Sequence, residues 1–246
     1  MRAGVIVFPG SNCDRDLAVA FERSGAKVSM IWHKDTVLPD GLDVIGIPGG
    51  FSFGDYLRCG AIAARSPVCR AVVEHAHAGG YVIGICNGFQ VLVKARVLPG
   101  FSDVAAQPIT LTANDSGKFE CHWIHLKINR DSPCVFTRGM SSLYIPVAHG
   151  EGKLAATPET LDKLNVVVQY TDSAGNLEAG YPHNPNGSLR DIAGICDATG
   201  RIFALMPHPE RFLRWTQHPR WTRETPRDIG EGLQVFRNAV DWVQRI

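Results

Sequence analysis

Tyr81-Val-Ile-Gly-Ile-Cys86-Asn-Gly-Phe-Gln90 decides the fold. Tyr81 to Ile85 is a short apolar run of buried-strand type, and Phe89 to Ala95 continues with helical spacing. Between them, Gly84-x-Cys86-x-Gly88 is a cysteine version of the nucleophile elbow, the sharp turn that joins a strand to a helix. Residues without side chains on both flanks permit the turn and let the helix pack close to the strand. The sulfur of Cys86 is then expected at a helix N-terminus, where unpaired N–H groups favour negative charge.

Working outward, the same alternation recurs. Val5 to Phe8 precedes a helical pattern over Asp16 to Ser24, and Val44 to Ile47 precedes one over roughly Gly60 to Ala78. This alternation predicts βαβ units, hence an α/β fold: an open, mostly parallel but mixed sheet with helices on both faces. Cys121 to Ile128, Leu143 to Val147 (interrupted by Pro146) and Val166 to Tyr170 predict antiparallel additions. Asp191 to Cys196 and Arg201 to Met206 predict a hairpin around Asp197 to Gly200. The chain is expected to form a single domain over residues 1–246, with 211–246 a C-terminal arm and docking helix. In that helix Leu233, Phe236, Val240 and Val243 share a face.

Composition narrows the classes. Lys plus Arg numbers 25 against 24 for Asp plus Glu, so no global field favours nucleic acid or an acidic membrane. The arm does interleave five arginines with Phe212, Trp215 and Trp221. Docking on a protein surface accounts for it better than nucleic-acid stacking, given the balanced charge elsewhere. Seven cysteines at irregular spacing, with no C-x-x-C, predict free thiols and a cytoplasmic setting. No secretory leader is expected, nor a membrane helix, since no apolar run approaches ~18 residues. Cys121, His122 and His125 do not share one strand face, so no metal site is expected there.

A free thiol is only a few per cent ionised at neutral pH, so complete ionisation gains at most roughly thirtyfold and Cys86 needs further help. His149-Gly-Glu151 and His208-Pro-Glu210 compete for the role of base. His208 follows the apolar strand Ile202 to Met206 and should emerge at a strand's C-terminal end, the rim where α/β sheets place their sites. That favours His208 as base, with Glu210 orienting its ring. The N–H of Asn87 is a natural oxyanion donor, and a second is expected from Ile47-Pro-Gly-Gly-Phe51.

These motifs together with Phe8-Pro-Gly-Ser-Asn-Cys-Asp14, Phe51-Ser-Phe-Gly-Asp-Tyr-Leu-Arg58, Asn114-Asp-Ser-Gly-Lys-Phe-Glu120, Ala148-His-Gly-Glu-Gly152, Asn184-Pro-Asn-Gly-Ser188 and Met206-Pro-His-Pro-Glu-Arg211 resemble the class I glutamine amidotransferases. The likeness runs to about residue 212 and is strongest to the members that serve purine biosynthesis. It implies a flavodoxin-like architecture, a triad of Cys86, His208 and Glu210, and an oxyanion hole from Gly50 and Asn87. It places glutamine against Phe51, Gln90, Gly150 and Glu151, with His149 on the substrate-side loop rather than acting as base.

By the same likeness, ammonia passes to a synthetase subunit that binds ATP, magnesium and formylglycinamide ribonucleotide, with a small accessory subunit beside it. No cofactor is expected on this chain, which lacks both G-x-x-x-x-G-K-[ST] and a G-x-G-x-x-G opening a helix. A sibling amidotransferase, another cysteine amide hydrolase and a non-catalytic binding module are the alternatives.

Overall fold

The computed structural model describes residues 1–101 and 107–245. Strands β1 (Arg2–Val7), β2 (Lys27–Trp32), β3 (Val44–Ile47) and β4 (Tyr81–Ile85) alternate with helices α1 (Asp14–Arg23), α2 (Pro67–His77) and α3 (Asn87–Lys94). Next come β5 (Ile109–Ala113), β6 (Glu120–Ile128), β7 (Ser142–His149), β8 (Glu151–Ala156), the short α4 (Pro158–Leu161) and β9 (Asn165–Thr171). The hairpin β10 (Ile192–Cys196) and β11 (Ile202–Leu205) precedes the last helix, α5 (Leu233–Val243).

Among these residues the main sheet runs β2-β1-β3-β4-β11-β10-β9-β6-β7, and β5 pairs with β8 in a separate ribbon. Pairings from β2 through β11 are parallel, and those from β11 to β7 are antiparallel. The parallel strands β3, β4 and β11 are buried throughout, as expected of strands covered on both faces. The mixed sheet and the antiparallel additions agree with the reading of the sequence, and β10 and β11 pair as the predicted hairpin.

Two expectations need correction. The helix read over Gly60 to Ala78 begins only at Pro67. Pro67 disfavours helical backbone at Ser66, which sits at φ −64°, ψ 154°, and its fixed φ suits the first helical turn. The ribbon β5–β8 was not anticipated, because its strands show weak alternation and take their partner from across the chain. Pro146 does not interrupt β7, which is an edge strand and can spare the ladder N–H.

The arm after β11 packs on the protein itself. Phe212, Leu213 and Trp215 are buried. Trp123 of β6 meets Phe212 edge-on with ring centres 5.1 Å apart, and His218 stacks on Trp215 at 4.6 Å. Trp221 stays partly exposed. Phe236 of α5 packs edge-on against Phe21 of α1 at 5.3 Å, which closes the face beneath β1. This wrapping holds residues 208–212 against the end of β7, where the N–H of His208 donates to the Pro146 carbonyl at 2.8 Å.

Candidate active site

Cys86 occupies the turn between β4 and α3 at φ 53°, ψ −108°. A residue with a side chain is strained there, and such strain persists only where the surroundings enforce it. The strain lies on the cysteine itself, whereas the flanking glycines provide clearance. A methyl at Gly84 would lie 2.6 Å from Leu92 Cδ1 and 2.8 Å from the Gly88 carbonyl, and one at Gly88 would run into the Ile47 carbonyl of β3. α3 can therefore press against two strands while its first turn, beginning at Asn87, sits directly behind the sulfur.

His208 and Glu210 come from the single turn that follows β11. His208 Nδ1 and Glu210 Oε1 are 2.6 Å apart, and both side chains are essentially sealed from water. An ionised carboxylate only accepts, so Nδ1 carries a proton and Nε2 is the free face of the ring. Nε2 is buried without a partner. Gly49 shows where that ring lies: a Cβ there would be 2.8 Å from His208 Cε1 and 3.2 Å from Cys86 Cβ. Cys86 and the His208 imidazole therefore converge on one glycine. The Cys86 thiol turns toward the Ala148 carbonyl, 3.7 Å away, leaving the bond to Nε2 unmade as is common before substrate binds.

Burial opposes charge on His208, but Glu210 and then Cys86 outweigh it and hold the imidazole well above its ordinary 6.5. A raised histidine contributes stability fully below the ordinary value and loses it as pH climbs through the raised one. The urea midpoint of the wild type should therefore fall on the alkaline side of neutrality, and His208→Gln should flatten that fall. Parallel curves for the two proteins would remove the ion pair.

The other histidine is neutral. Asn114 Nδ2 donates to the carbonyls of Lys118 (2.9 Å) and His149 (2.8 Å), so its Oδ1 faces His149 Nδ1 at 3.1 Å and fixes the proton there. Burial, followed by the charge of His208, pushes His149 down to about 3. Glu210 partners His208, while His149 has an amide in that place.

The loop after β3 forms the opposite wall. Gly50 sits at φ 129° with its Cβ position 2.5 Å from the Asn12 N, a conformation and a closeness that demand glycine. Asn87 Oδ1 accepts from the Ser52 N–H (3.2 Å), and its Nδ2 donates to Asp55 (3.1 Å) and Gln90 (2.8 Å). Gln90 Nε2 donates to the Glu151 carbonyl at 2.8 Å. Both ends of the Gln90 amide are thus engaged by the protein, and Gln90 braces the wall with one donor and one acceptor position to spare.

Phe51 is exposed at the rim, its ring centre 6.2 Å from that of Phe119. Gly150 leaves room beside Phe119 and accepts from the Asn114 N–H through its carbonyl. Asp55 and Cys59 are pushed up, chiefly by burial, with Glu151 adding to both. Lys94 is pushed down by burial and then by Arg58. Both signs of charge therefore line this wall.

Two residues close to His208 and Glu210 were not singled out from the sequence. Arg211 Nη2 donates to Cys13 Sγ at 2.9 Å, although the residues are 198 positions apart. Cys13 Sγ, a ring nitrogen of His208 and a carboxylate oxygen of Glu210 all lie within 4.8 Å of one another. Cys13 and Arg211 both lie in stretches that carry the resemblance, Phe8 to Asp14 and Met206 to Arg211, but nothing local assigns either a role. The Asn184 to Ser188 motif acts from behind, where Asn186 Nδ2 donates to the Gly152 carbonyl (2.9 Å) and to Tyr170 Oη (3.1 Å).

A family model described as the CobB/CobQ-like glutamine amidotransferase domain matches residues 1–243. The phosphoribosylformylglycinamidine synthase subunit PurQ of Dehalococcoides mccartyi is 50% identical, over 97% of this chain and 96% of its own. The protein of the same name from Ruegeria pomeroyi is 51% identical over 86% of this chain and 89% of its own. Among solved structures, a chain of PurLQS from Thermotoga maritima superposes with a TM-score of 0.76 at 36% identity, covering 98% of both chains.

Proposed function

The chain belongs to the CobB/CobQ-like glutamine amidotransferase family, and from that premise we propose that it is the glutaminase subunit of a phosphoribosylformylglycinamidine synthase. It supplies ammonia to a synthetase partner in purine biosynthesis. The observation that carries this reading is Cys86, strained on its elbow, meeting at Gly49 the imidazole that Glu210 holds from behind.

The chemistry follows from those positions. The Cys86 thiolate adds to the side-chain carboxamide of glutamine, and the N–H groups of Gly50 and Asn87 receive the oxyanion. His208 gives a proton to the departing ammonia, leaving a γ-glutamyl thioester on Cys86. Water, deprotonated by His208, then releases glutamate and restores the thiol. Glu210 keeps Nδ1 protonated and stabilises the imidazolium throughout. The wall carrying Asp55, Arg58, Lys94 and Glu151 suits the zwitterionic end of a free amino acid, which places glutamine between Phe51, Gln90 and the His149–Glu151 corner.

The relatives' names and the PurLQS assembly support a synthetase partner, to which we assign ATP and magnesium, and a small accessory subunit. None of the described helices is long and apolar enough to cross a membrane, which suits the proposed cytoplasmic setting. Ammonia release from glutamine, measured alone and with the synthetase subunit, tests the proposal. Release should rise when the partner and its substrates are present. Release from asparagine or a peptide amide with glutamine inert would overturn it.

A further inference from the structure

The proposed reaction uses Cys86, His208 and Glu210 and leaves a second thiol unexplained. Cys13 is fully buried, and its sulfur faces His208 and Glu210 from the residue before α1. Its N–H donates to the Gly49 carbonyl at 3.3 Å, and its sulfur would lie 3.4 Å from a Cβ on that same glycine. Gly49 thus has Cys13 Sγ, Cys86 Cβ and His208 Cε1 around one point. We infer that Cys13, Cys86 and His208 form a binding site for one thiophilic divalent cation of the zinc type, which blocks the nucleophile when it binds.

The donor set is the first argument. Two sulfurs and an imidazole nitrogen select borderline-soft ions such as Zn²⁺ over Mg²⁺ or Ca²⁺, and three protein ligands leave a fourth position for water. Tetrahedral zinc places neighbouring ligand atoms about 3.5–4 Å apart. Cys13 Sγ and a ring nitrogen of His208 already lie within 4.8 Å of each other, and binding requires the Cys86 thiol to turn from the Ala148 carbonyl toward them.

The second argument is the histidine. Metal-bound histidines usually donate their other ring N–H to a carboxylate, which fixes the ring and raises its basicity. His208 already has that arrangement, with Glu210 on Nδ1 and Nε2 buried and unpartnered. Arg211 supplies the matching support on the other side, through its N–H bond to Cys13 Sγ.

Charge gives the third argument. Binding releases the protons of Cys13, Cys86 and His208 Nε2 to solvent, so that as ligands the two thiolates and, behind the ring, Glu210 set three negative charges against one guanidinium, a balance that matches a divalent cation. The ligands arrive on separate elements: the chain before α1, the β4 elbow and the turn after β11. Packing around Gly49 therefore holds these three elements together before any ion arrives. With the metal in place Cys86 is a ligand and cannot attack a carboxamide.

Co²⁺ added to the metal-free full-length chain is the direct test, because it reports sulfur ligation by its thiolate charge-transfer absorption. One equivalent should produce that band with tetrahedral d–d bands, and Zn²⁺ should displace it. Cys13→Ser should weaken Co²⁺ binding by at least about 100-fold, whereas Cys121→Ser, at an exposed thiol, should leave it unchanged. No charge-transfer band in the wild type, or the same band in Cys13→Ser and Cys86→Ser, would show an adventitious ion only and overturn the inference.

Should Cys13→Ser misfold, the unaltered chain decides. Zn²⁺ but not Mg²⁺ should protect Cys86 from iodoacetamide, and lack of protection would refute the site. Inhibition of ammonia release by Zn²⁺, reversed by chelator, rests in addition on the glutaminase reading. A full cobalt signature on a protein that never hydrolyses glutamine would defeat that reading and leave the metal site standing.

Discussion

Cys86→Ala is expected to yield a folded protein, still able to bind its synthetase partner, whose release of ammonia from glutamine falls by about 10⁴-fold or more. The fold should survive because alanine keeps the Cβ that packs beside Gly49 and removes one largely buried sulfur atom. Chemistry stops because water offered to the same carboxamide has neither the sulfur's nucleophilicity nor a covalent intermediate to divide the barrier. His208→Ala should approach the same loss. Glu210→Ala should be milder by one to two orders of magnitude, since it disturbs the ring's orientation and charge and not the proton carrier itself. Stopped-flow or coupled detection of ammonia, with thermal melts on each variant, separates lost chemistry from lost fold. Unchanged turnover in Cys86→Ala would remove the nucleophile assignment.

The largest stability effect is expected at Gly88. A methyl there meets the Ile47 carbonyl, a backbone atom in an interior strand that has no room to yield. On the opposite side, the Gly88 carbonyl already closes on Gly84, so α3 cannot rotate away from the collision. Gly88→Ala should cost about 3 kcal/mol, and lower the melting temperature by roughly 6–12 °C for a chain of this size. Activity should fall further than stability, because lifting α3 displaces the Asn87 N–H and its side-chain bonds to Ser52 and Asp55. Gly150→Ala is the matched control: only Phe119 lies nearby, at 3.8 Å, and the change should cost less than about 1 kcal/mol. Equal melting of the two variants would mean that α3 does not seat against β3 as described.

Much of this protein can be read before it folds. Apolar runs punctuated by Gly and Pro identify β1, β3, β4 and β11, because a strand covered on both faces must be continuously apolar. The Gly-x-Cys-x-Gly elbow and His208 placed just after a strand point to the two halves of the candidate active site, since each is a local signal at the end of a parallel strand. The same logic fails for the ribbon of β5 and β8 and for the start of α2. In the ribbon, pairing comes from distant chain. At α2, helical spacing runs through Ala61 to Ala64, but the following proline resets the backbone at Ser66.

Some things were decided only by three-dimensional closure. β7 meets the turn carrying His208 through one backbone bond, a consequence of how the antiparallel half of the sheet turns back beside the rim. Cys13 and Arg211, nearly the whole chain apart, touch beside His208 because the start of α1 and the end of β11 lie at the same edge of the parallel strands. Local residue patterns specify elements and their ends, since backbone sterics and periodic burial act over a few residues. Which side chains from different ends become neighbours depends on strand order, and that is settled by the packing of the whole sheet.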